Sequence, residues 1–192
     1  AHKKNLSRRM NAIERAGTVR FARLDPGSEA PSHQVTRLLQ DAKKVALNSW
    51  QHRSPTGWAI SDEGSGDFFI KVSDRLWAKG MLDISVLYLN EEPISFIWGA
   101  ARAPYTSINK LGFDHSYAKL SPGFVHLALY IKDSIEKRIE CIDFGHEYQD
   151  YKSGWSKSSV ELTEIYFYPS KWFPLAIKWL RSLKAQLRRP LA

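Results

Sequence analysis

Apolar side chains recur at helical spacing in five stretches of the chain, which predicts five amphipathic helices. The first is expected to end at Gly17 and the third at Gly80, because glycine readily takes the conformation that stops a helix. Ser65 or Asp67 is expected to cap the start of the third helix. In chain order, the predicted apolar faces are Leu6, Met10 and Ile13; Val35, Leu38, Leu39, Ala42, Val45, Ala46 and Trp50; Phe69, Val72 and Leu76; Phe124, Leu127, Ala128, Ile131 and Ile135; and Trp172, Leu175, Ala176, Trp179, Leu180, Leu183 and Leu187.

Shorter apolar runs between the helices predict strands. The predicted strands are residues 19–24, 82–89, 94–101, 105–113, 140–144 and 160–168. A turn at residues 90–93 joins the second strand to the third, and the fourth strand follows closely. Short connections of this kind favour an antiparallel meander. Together, the helices and strands predict an α/β protein of the α+β type.

The helix start at Ser121-Pro122-Gly123 is the most informative local motif. Ser121 is a favourable N-cap, and Pro122 suits the first helical position because its missing N–H costs nothing there. The loop places free backbone N–H groups at the start of a long helix between two strands, an arrangement that binds phosphate or pyrophosphate. The same residues are also a well-formed helix start that needs no ligand. The polar residues expected to face water on this helix are Lys132, Asp133, Glu136 and Lys137.

Composition limits the class of protein. Of the 192 residues, 43% are hydrophobic and 12% are aromatic, which suits one packed domain and not a disordered chain. The longest apolar run, residues 124–131, is far shorter than the roughly 20 residues of a membrane span. A single cysteine, Cys141, excludes an internal disulfide and a multi-cysteine zinc site, and the six His residues contain no i, i+4 pair. We therefore expect a cytoplasmic protein without a metal, in which Cys141 is a buried and inert thiol.

The net charge of +8 is concentrated at the two ends of the chain. Residues 1–23 and 171–192 each carry a net charge of +6, which leaves −4 for the residues between them. Basic ends can bind nucleic acid or anionic surfaces, but solvated basic helices are the commoner explanation. The cations expected to remain at least partly exposed on the first helix are Lys3, Lys4, Arg8 and Arg9.

Several short motifs together resemble a known family. They are Asn5-Leu6-Ser7-Arg8-Arg9, Phe113-Asp114 with Tyr117, Lys119 to Gly123, Asp143-Phe144-Gly145, and Tyr151-Lys152 with Trp155. In this order they resemble the GNAT-type acyltransferase domain of cellulose-biosynthesis (CelD-like) and FemAB-like proteins, over nearly the whole chain. Members usually carry a second, N-terminal GNAT-like half. The resemblance therefore implies that residues 1–17 are a basic linker helix from such a half and that residues 18–192 form the acyltransferase domain.

The resemblance also implies where a donor would bind. The family has a mixed, mostly antiparallel sheet that splits between two central strands, here residues 105–113 and 140–144, with acyl-CoA such as acetyl-CoA in the cleft. The residues that would receive the CoA pyrophosphate are Leu120, Ser121, Pro122 and Gly123. The common loop of this family has a second small residue after its glycine. Here Phe124 follows directly, so the expected phosphate cradle is shallower.

Acyl transfer needs a group that takes a proton from the acceptor, a donor to the oxyanion, and neutralisation of the leaving thiolate. Tyr151 stands where many members keep a tyrosine that protonates the thiolate, and Lys152 offers positive charge. Asp143 and Asp114 are candidate bases, and His146 is a further group that titrates near neutral pH. Tyr151 is also compatible with a packing role, and Asp143 with a hydrogen bond to a turn.

Three functions are open on this basis. The first is an acyl-CoA-dependent N- or O-acyltransferase acting on a sugar, amino-sugar or amine acceptor, with polysaccharide biosynthesis as a setting. The second is a FemAB-like aminoacyltransferase that uses aminoacyl-tRNA as donor, which the basic ends favour. The third is a catalytically silent GNAT-fold half that binds a partner or ligand.

Overall fold

The computed structural model describes residues 2–24, 32–53, 59–145, 150–156, 158–161, 163 and 165. The chain divides into two units, Ala1–Trp155 and Ser156–Ala192, and the elements below belong to the first. The helices are α1 (His2–Ala16), α2 (Ser32–Leu47), α3 (Glu63–Ala78), α4 (Pro122–Glu136) and the short α5 (Asp150–Ser153). The strands are β1 (Val19–Arg23), β2 (Leu82–Leu89), β3 (Glu92–Arg102), β4 (Tyr105–Phe113) and β5 (Cys141–Asp143). Two 3-10 helices cover Trp50–Arg53 and His115–Leu120.

The strands form one sheet in the order of the chain, β1-β2-β3-β4-β5. The first four strands pair antiparallel, and β4 pairs parallel with β5 after the crossover through α4. Parallel neighbours need such a crossover because a short turn cannot return the chain to the same end of the sheet. This mixed, mostly antiparallel sheet flanked by helices confirms the predicted fold class.

Helices cover both faces of the sheet. On one face, Phe69 of α3 meets Trp98 of β3 edge to face, with ring centroids 5.0 Å apart. On the other face, Ile13 of α1 is fully buried in a cluster with Leu87 of β2, and Met10 packs against that cluster. The predicted apolar face of α1 is therefore confirmed. None of the described helices is long and apolar enough to cross a membrane.

The basic side of α1 agrees with expectation where it is described. Arg8 is exposed and Arg9 is half-buried. The side chains of Lys3 and Lys4 lie outside the part of the chain that the structure describes. The α1 helix thus buries its apolar stripe and keeps its arginines in contact with water, as an amphipathic helix does.

Three side chains predicted to be buried are exposed. Trp50 lies beyond the end of α2 and is 49% exposed, and Ile135 in the last turn of α4 is 68% exposed. Both residues continue the apolar spacing of their helix, but they lie beyond the last helical turn that packs on the sheet. Cys141 is also exposed, because β5 is only three residues long and two of its three side chains face outward.

The start of α3 differs from the prediction. Its N-cap is Asp62, not Ser65 or Asp67, and Gly66 N–H donates to Asp62 O (2.7 Å), which makes Asp62 the residue that opens the helix. The predicted strand at 160–168 falls largely outside the described residues, and those that are described, such as Val160, are not in a strand. The predicted C-terminal helix lies wholly outside them.

The turn between β2 and β3 is tighter than predicted. Only Asn90 and Glu91 form it, both with positive φ (50° and 63°), whereas Glu92 and Pro93 belong to β3. Two successive positive φ values match the right-handed twist of a hairpin, and asparagine tolerates them better than most residues. Asn90 Oδ1 also accepts a hydrogen bond from Thr18 N–H (2.9 Å), which ties the turn to β1.

The face of α4 that packs on the sheet is partly polar, which the sequence pattern did not indicate. His126, Tyr130 and Ser134 are fully buried on it. Asp133, predicted to face water, accepts a hydrogen bond from Arg23 Nη1 at 2.8 Å. Periodicity counts only apolar residues, so it missed a polar face whose members bond to one another.

A buried ion pair joins these elements. Arg23 of β1 donates from Nε and Nη2 to the two carboxylate oxygens of Asp83 on β2 (2.9 and 2.7 Å), and both side chains are almost fully buried. The same carboxylate accepts from Tyr130 Oη (2.7 Å) and Thr106 Oγ1 (2.6 Å). Burial lowers the pKa of Arg23, but the hydrogen bonds and the charge of Asp83 more than reverse this, and the net shift is upward. The guanidinium is therefore charged and clamps β1, β2, β4 and α4 together.

We expect Asp83→Asn to lower the free energy of unfolding by roughly 3–5 kcal/mol, because it leaves the buried Arg23 charge without its main partner. Urea denaturation followed by tryptophan fluorescence measures the change. Glu91→Gln is the matched control, since it breaks the exposed Arg20–Glu91 pair (2.8 Å) and should change stability little. Equal effects of the two substitutions would contradict the assigned role of the buried pair.

A buried histidine lies near this clamp. His126 has both ring nitrogens hydrogen-bonded, Nε2 to Ser85 Oγ (2.9 Å) and Nδ1 to Ser95 Oγ (3.0 Å). Burial, with a contribution from the Arg23 charge, lowers the pKa of His126 from 6.5 to about 3. The imidazole is therefore neutral in the folded protein at neutral pH.

This histidine predicts a loss of stability in acid. Between pH 6.5 and about 3 the unfolded chain binds a proton at position 126 and the folded protein does not, so stability falls as the pH is lowered through that window. The slope should be about 1.4 kcal/mol per pH unit steeper than in His126→Gln. Unfolding free energies measured at a series of pH values test this, with the exposed His115→Gln as control. A wild-type slope equal to that of His126→Gln would be the contrary result.

Candidate active site

Strand β5 runs beside only the first part of β4. All three residues of β5 pair with β4, from Tyr105↔Cys141 to Ser107↔Asp143, and β4 then continues to Phe113 without β5 beside it. The family resemblance implied a split between these two strands, and their pairing does end there, although β5 is shorter than expected. We call the surroundings of Ser107 and Asp143 the divergence point.

A β-bulge lies at the divergence point. In the register of β3 with β4, Trp98 pairs with Lys110 and Gly99 pairs with Ile108, so Asn109 is passed over. A bulge leaves its extra residue outside the ladder and bends the strand. A Cβ atom on Gly99 would overlap the carbonyl oxygen of Ser107, so only glycine lets β4 take this path. A glycine inside a predicted strand is the sequence signal that could have found the bulge.

The turn after β5 brings two predicted site residues together. Asp143 Oδ1 accepts a hydrogen bond from Gly145 N–H at 2.8 Å, and Lys152 Nζ donates to Gly145 O at 3.4 Å. Gly145 has φ +75°, and a Cβ atom there would lie 3.3 Å from Ile108 O beside the bulge. The carboxylate of Asp143 and the ammonium of Lys152 thus flank one glycine at the divergence point.

The predicted proton donor, Tyr151, lies next to Lys152 on α5 and is 43% exposed. Partial burial raises its pKa, so the phenol keeps its proton at neutral pH. Trp155 packs on Phe124 of α4, with ring centroids 4.9 Å apart, and holds this segment against the helix. His146, the further candidate, lies outside the described residues.

The start of α4 differs from the predicted capping geometry. Ser121 is the N-cap, but its backbone is left-handed (φ 53°, ψ 50°) and its side chain forms no capping hydrogen bond. An N-cap side chain reaches the helix N–H groups from an extended backbone, which Ser121 lacks. Its carbonyl oxygen instead accepts from the N–H groups of Phe124 (3.1 Å) and Val125 (3.2 Å).

The predicted phosphate loop therefore offers few donors. Ser121 N–H donates to Ala118 O (3.0 Å), and Pro122 has no N–H. Gly123 N–H has no acceptor among the described residues and points from the positive end of a 15-residue helix. A Cβ atom on Gly123 would lie 3.1 Å from the ring of Phe113 at the end of β4. Gly123 therefore lets the start of α4 pack closely against the end of β4, and its N–H has no acceptor among the described residues.

Asp114 lies away from the divergence point. It follows Ser107 by seven residues along β4, which corresponds to roughly 23 Å. Its carboxylate accepts from Ser116 N–H (2.8 Å), Ser116 Oγ (2.6 Å) and Asn48 Nδ2 (3.0 Å), so it caps the 3-10 helix. It also borders an open hollow of about 280 Å³ at the end of α2. The structure does not bring Asp114 together with Asp143, and a capping role explains its contacts.

The described residues contain no group of three or more His, Cys, Asp or Glu side chains that would hold a metal ion. The chemical groups at the divergence point are instead a carboxylate, an ammonium and the peptide of a bulge, and the Tyr151 phenol is carried by the residue before Lys152. These groups can move protons and stabilise charge, and the start of α4 can receive an anion.

A mixed sheet in which β4 continues past its parallel neighbour β5, with a helix N-terminus beyond its end, is the arrangement that the resemblance to GNAT-type acyltransferase domains implied. The chain belongs to the acetyltransferase (GNAT) domain family, which matches residues 1–153. No curated protein matches the chain.

Solved structures share the fold at low identity. An aminoglycoside acetyltransferase from an uncultured soil metagenomic sample, in complex with sisomicin, has 12% identity and a TM-score of 0.52 over 81% of this chain and 97% of that one. The C-terminal domain of a putative lysylphosphatidylglycerol synthetase from Agrobacterium fabrum has 14% identity and a TM-score of 0.50 over 76% of this chain and 41% of that one. The ribosomal-protein-S18-alanine N-acetyltransferase from Escherichia coli has 13% identity and a TM-score of 0.40 over 62% of this chain and 61% of that one.

Proposed function

We propose that this domain transfers an acyl group from an acyl-CoA donor to an amine or hydroxyl of a small-molecule or saccharide acceptor. The observation that carries the proposal is that β4 connects both halves of the site. The divergence point lies near its first residues, and the Gly123 N–H lies beyond its last residue, Phe113. An acyl-CoA donor has a reactive thioester at one end and anionic phosphates towards the other, so it needs both the divergence point and the Gly123 N–H.

The residues at the start of α4 fit the anionic end of CoA. The Gly123 N–H, which has no acceptor among the described residues, and the positive end of the helix dipole favour the charge of a phosphate oxygen. The donor supplies a thioester, whose carbonyl carbon takes the acceptor and whose sulfur leaves. The rest of the chemistry falls to the residues at the divergence point.

Three side chains carry that chemistry in the proposal. Asp143 accepts a proton from the acceptor with the carboxylate oxygen that Gly145 N–H does not hold. Lys152, fixed by the carbonyl oxygen of Gly145, places positive charge where negative charge develops on oxygen. Tyr151 holds at Oη a proton that it can give to the departing group, and its raised pKa keeps that proton in place at neutral pH.

Two observations bear on the chemical class of the acceptor. The motifs that resemble CelD-like proteins favour a saccharide, with polysaccharide biosynthesis as the setting. The fold is shared with an aminoglycoside acetyltransferase in complex with sisomicin, which agrees with an amino sugar. An acceptor panel of amino sugars, neutral sugars and simple amines, with acetyl-CoA as donor, would identify the class.

A FemAB-like aminoacyltransferase is the second candidate. It is favoured by the arginines of α1 and by the fold shared with a domain of a putative lysylphosphatidylglycerol synthetase. Thermal shifts with acetyl-CoA, CoA and aminoacyl-tRNA separate the candidates, because only a specific ligand raises the melting temperature at low concentration. Stabilisation by aminoacyl-tRNA alone would replace the first proposal, and no stabilisation by any of them would favour a silent GNAT-fold half.

We expect Tyr151→Phe to lower turnover by roughly 10²–10⁴-fold, because it removes the proton and keeps the ring. Steady-state kinetics and a melting curve measure the two effects separately. Tyr105→Phe is the control, since this exposed tyrosine lies at the start of β4 and its hydroxyl has no assigned role. Full activity in Tyr151→Phe would show that another group donates the proton, and early melting would show that Tyr151 serves packing.

We expect Gly123→Val to weaken CoA binding by roughly tenfold or more in isothermal titration calorimetry, because the branched side chain meets the Phe113 ring and crowds the free N–H. Valine is at least as favourable as glycine within a helix, and a melting curve checks that the fold persists. Ala128→Val on the same helix is the control. Unchanged affinity for CoA in Gly123→Val would place the phosphates elsewhere.

A further inference from the structure

Two arginines of α1 share one acceptor. Arg8 Nη2 and Arg9 Nε both donate to Asn5 Oδ1, each at 3.1 Å. Within the described part of the chain, neither guanidinium has a carboxylate partner. The arginine pair, Arg8 and Arg9, is therefore held in place by a neutral oxygen, and no carboxylate of the described residues compensates its positive charge.

The arginine pair lies beside the start of α4. The Arg9 guanidinium carbon lies 4.6 Å from the ring centroid of Phe124, which directly follows Gly123. The position of α1 is fixed, because Ile13 is fully buried and Met10 packs in the same cluster as Leu120. The charge therefore stands on a docked helix, over the ring of the residue that follows Gly123.

This charge supplies what the loop lacks. A pyrophosphate carries two negative charges, and Gly123 offers it a single N–H. We propose that Arg9 binds the pyrophosphate of the acyl-CoA donor together with Gly123 N–H, and that Arg8 adds a second positive charge beside it. The inference rests on the proposed function, since it assigns residues to the donor end of that site.

The geometry favours Arg9 as the direct ligand. Its Nε is used by Asn5, which leaves both Nη groups to meet two phosphate oxygens in the fork geometry that guanidinium provides. Stacking on Phe124 restricts the guanidinium, so less freedom is lost on binding. Phe124 is the bulky residue that makes the expected phosphate cradle shallower. In this arrangement its ring supports the Arg9 guanidinium, whose charge offsets the small number of N–H donors in the loop.

Isothermal titration calorimetry with CoA, 3′-dephospho-CoA and pantetheine tests the assignment. We expect Arg9→Gln to weaken binding of CoA and of 3′-dephospho-CoA by roughly 10–100-fold, the range for losing a hydrogen bond to a charged group. Pantetheine, which has no phosphate, should bind both proteins equally. The difference between wild type and Arg9→Gln should shrink at high salt, because the lost interaction is between charges.

Two further variants make the test specific. Arg15→Gln removes an exposed cation from the same helix, about 9 Å along its axis from Arg9, and should leave every affinity unchanged. Arg9→Lys keeps the charge without the fork and should recover part of the affinity. Melting curves of all variants check that each is folded.

The outcomes separate this inference from the proposed function. If wild type binds CoA and Arg9→Gln binds it equally well, the role of Arg9 is overturned and the donor assignment stands. A loss confined to CoA and absent with 3′-dephospho-CoA would overturn the pyrophosphate contact. If wild type binds neither nucleotide, the proposed donor fails, and the arginine assignment fails with it.

Discussion

The buried pair of Arg23 and Asp83 fixes how the layers of this domain lie on one another. Apolar contacts are not directional, so a helix on a sheet can shift by a fraction of a turn at little cost. A bidentate guanidinium and carboxylate have one geometry, and Arg23 also bonds to Asp133 of α4. Since α4 begins about three turns before Asp133, the same contact sets where the Gly123 N–H stands relative to β4. The donor end of the site thus depends on a charge buried far from it.

Strand β4 connects the parts of the proposed site. Its first residues pair with β5, and its bulge at Asn109 lies where that pairing ends. The ring of its last residue, Phe113, lies close to Gly123 at the start of α4. Because a strand is stiff along its length, the spacing between the reacting end and the anionic end of the donor is fixed by the strand itself. Gly99 on β3 makes this possible, since it is the residue that lets β4 bend.

The sequence predicted the fold well where a pattern reports burial, as with Ile13 of α1, and the family resemblance named the two strands, β4 and β5, whose pairing ends partway along β4. It failed where tertiary contacts decide. His126 on α4 is polar in sequence and buried in the structure because two serines receive its ring. Asp114 is a plausible base by type, but strand length carries it away from Asp143. Ser121 suits an N-cap by identity, yet its left-handed backbone turns the side chain from that task.

The clamp at Arg23 has a consequence for how the chain assembles. Arg23 meets Asp83 across 60 residues and Asp133 across 110 residues of sequence. During synthesis the contact with Asp133 cannot form until α4 has emerged, so the full set of contacts around Arg23 is complete only when most of the domain exists. Contacts of such separation close late, and interactions absent from the transition state mainly slow unfolding. We therefore expect a domain that is slow to assemble and, once closed around its buried charge, slow to come apart.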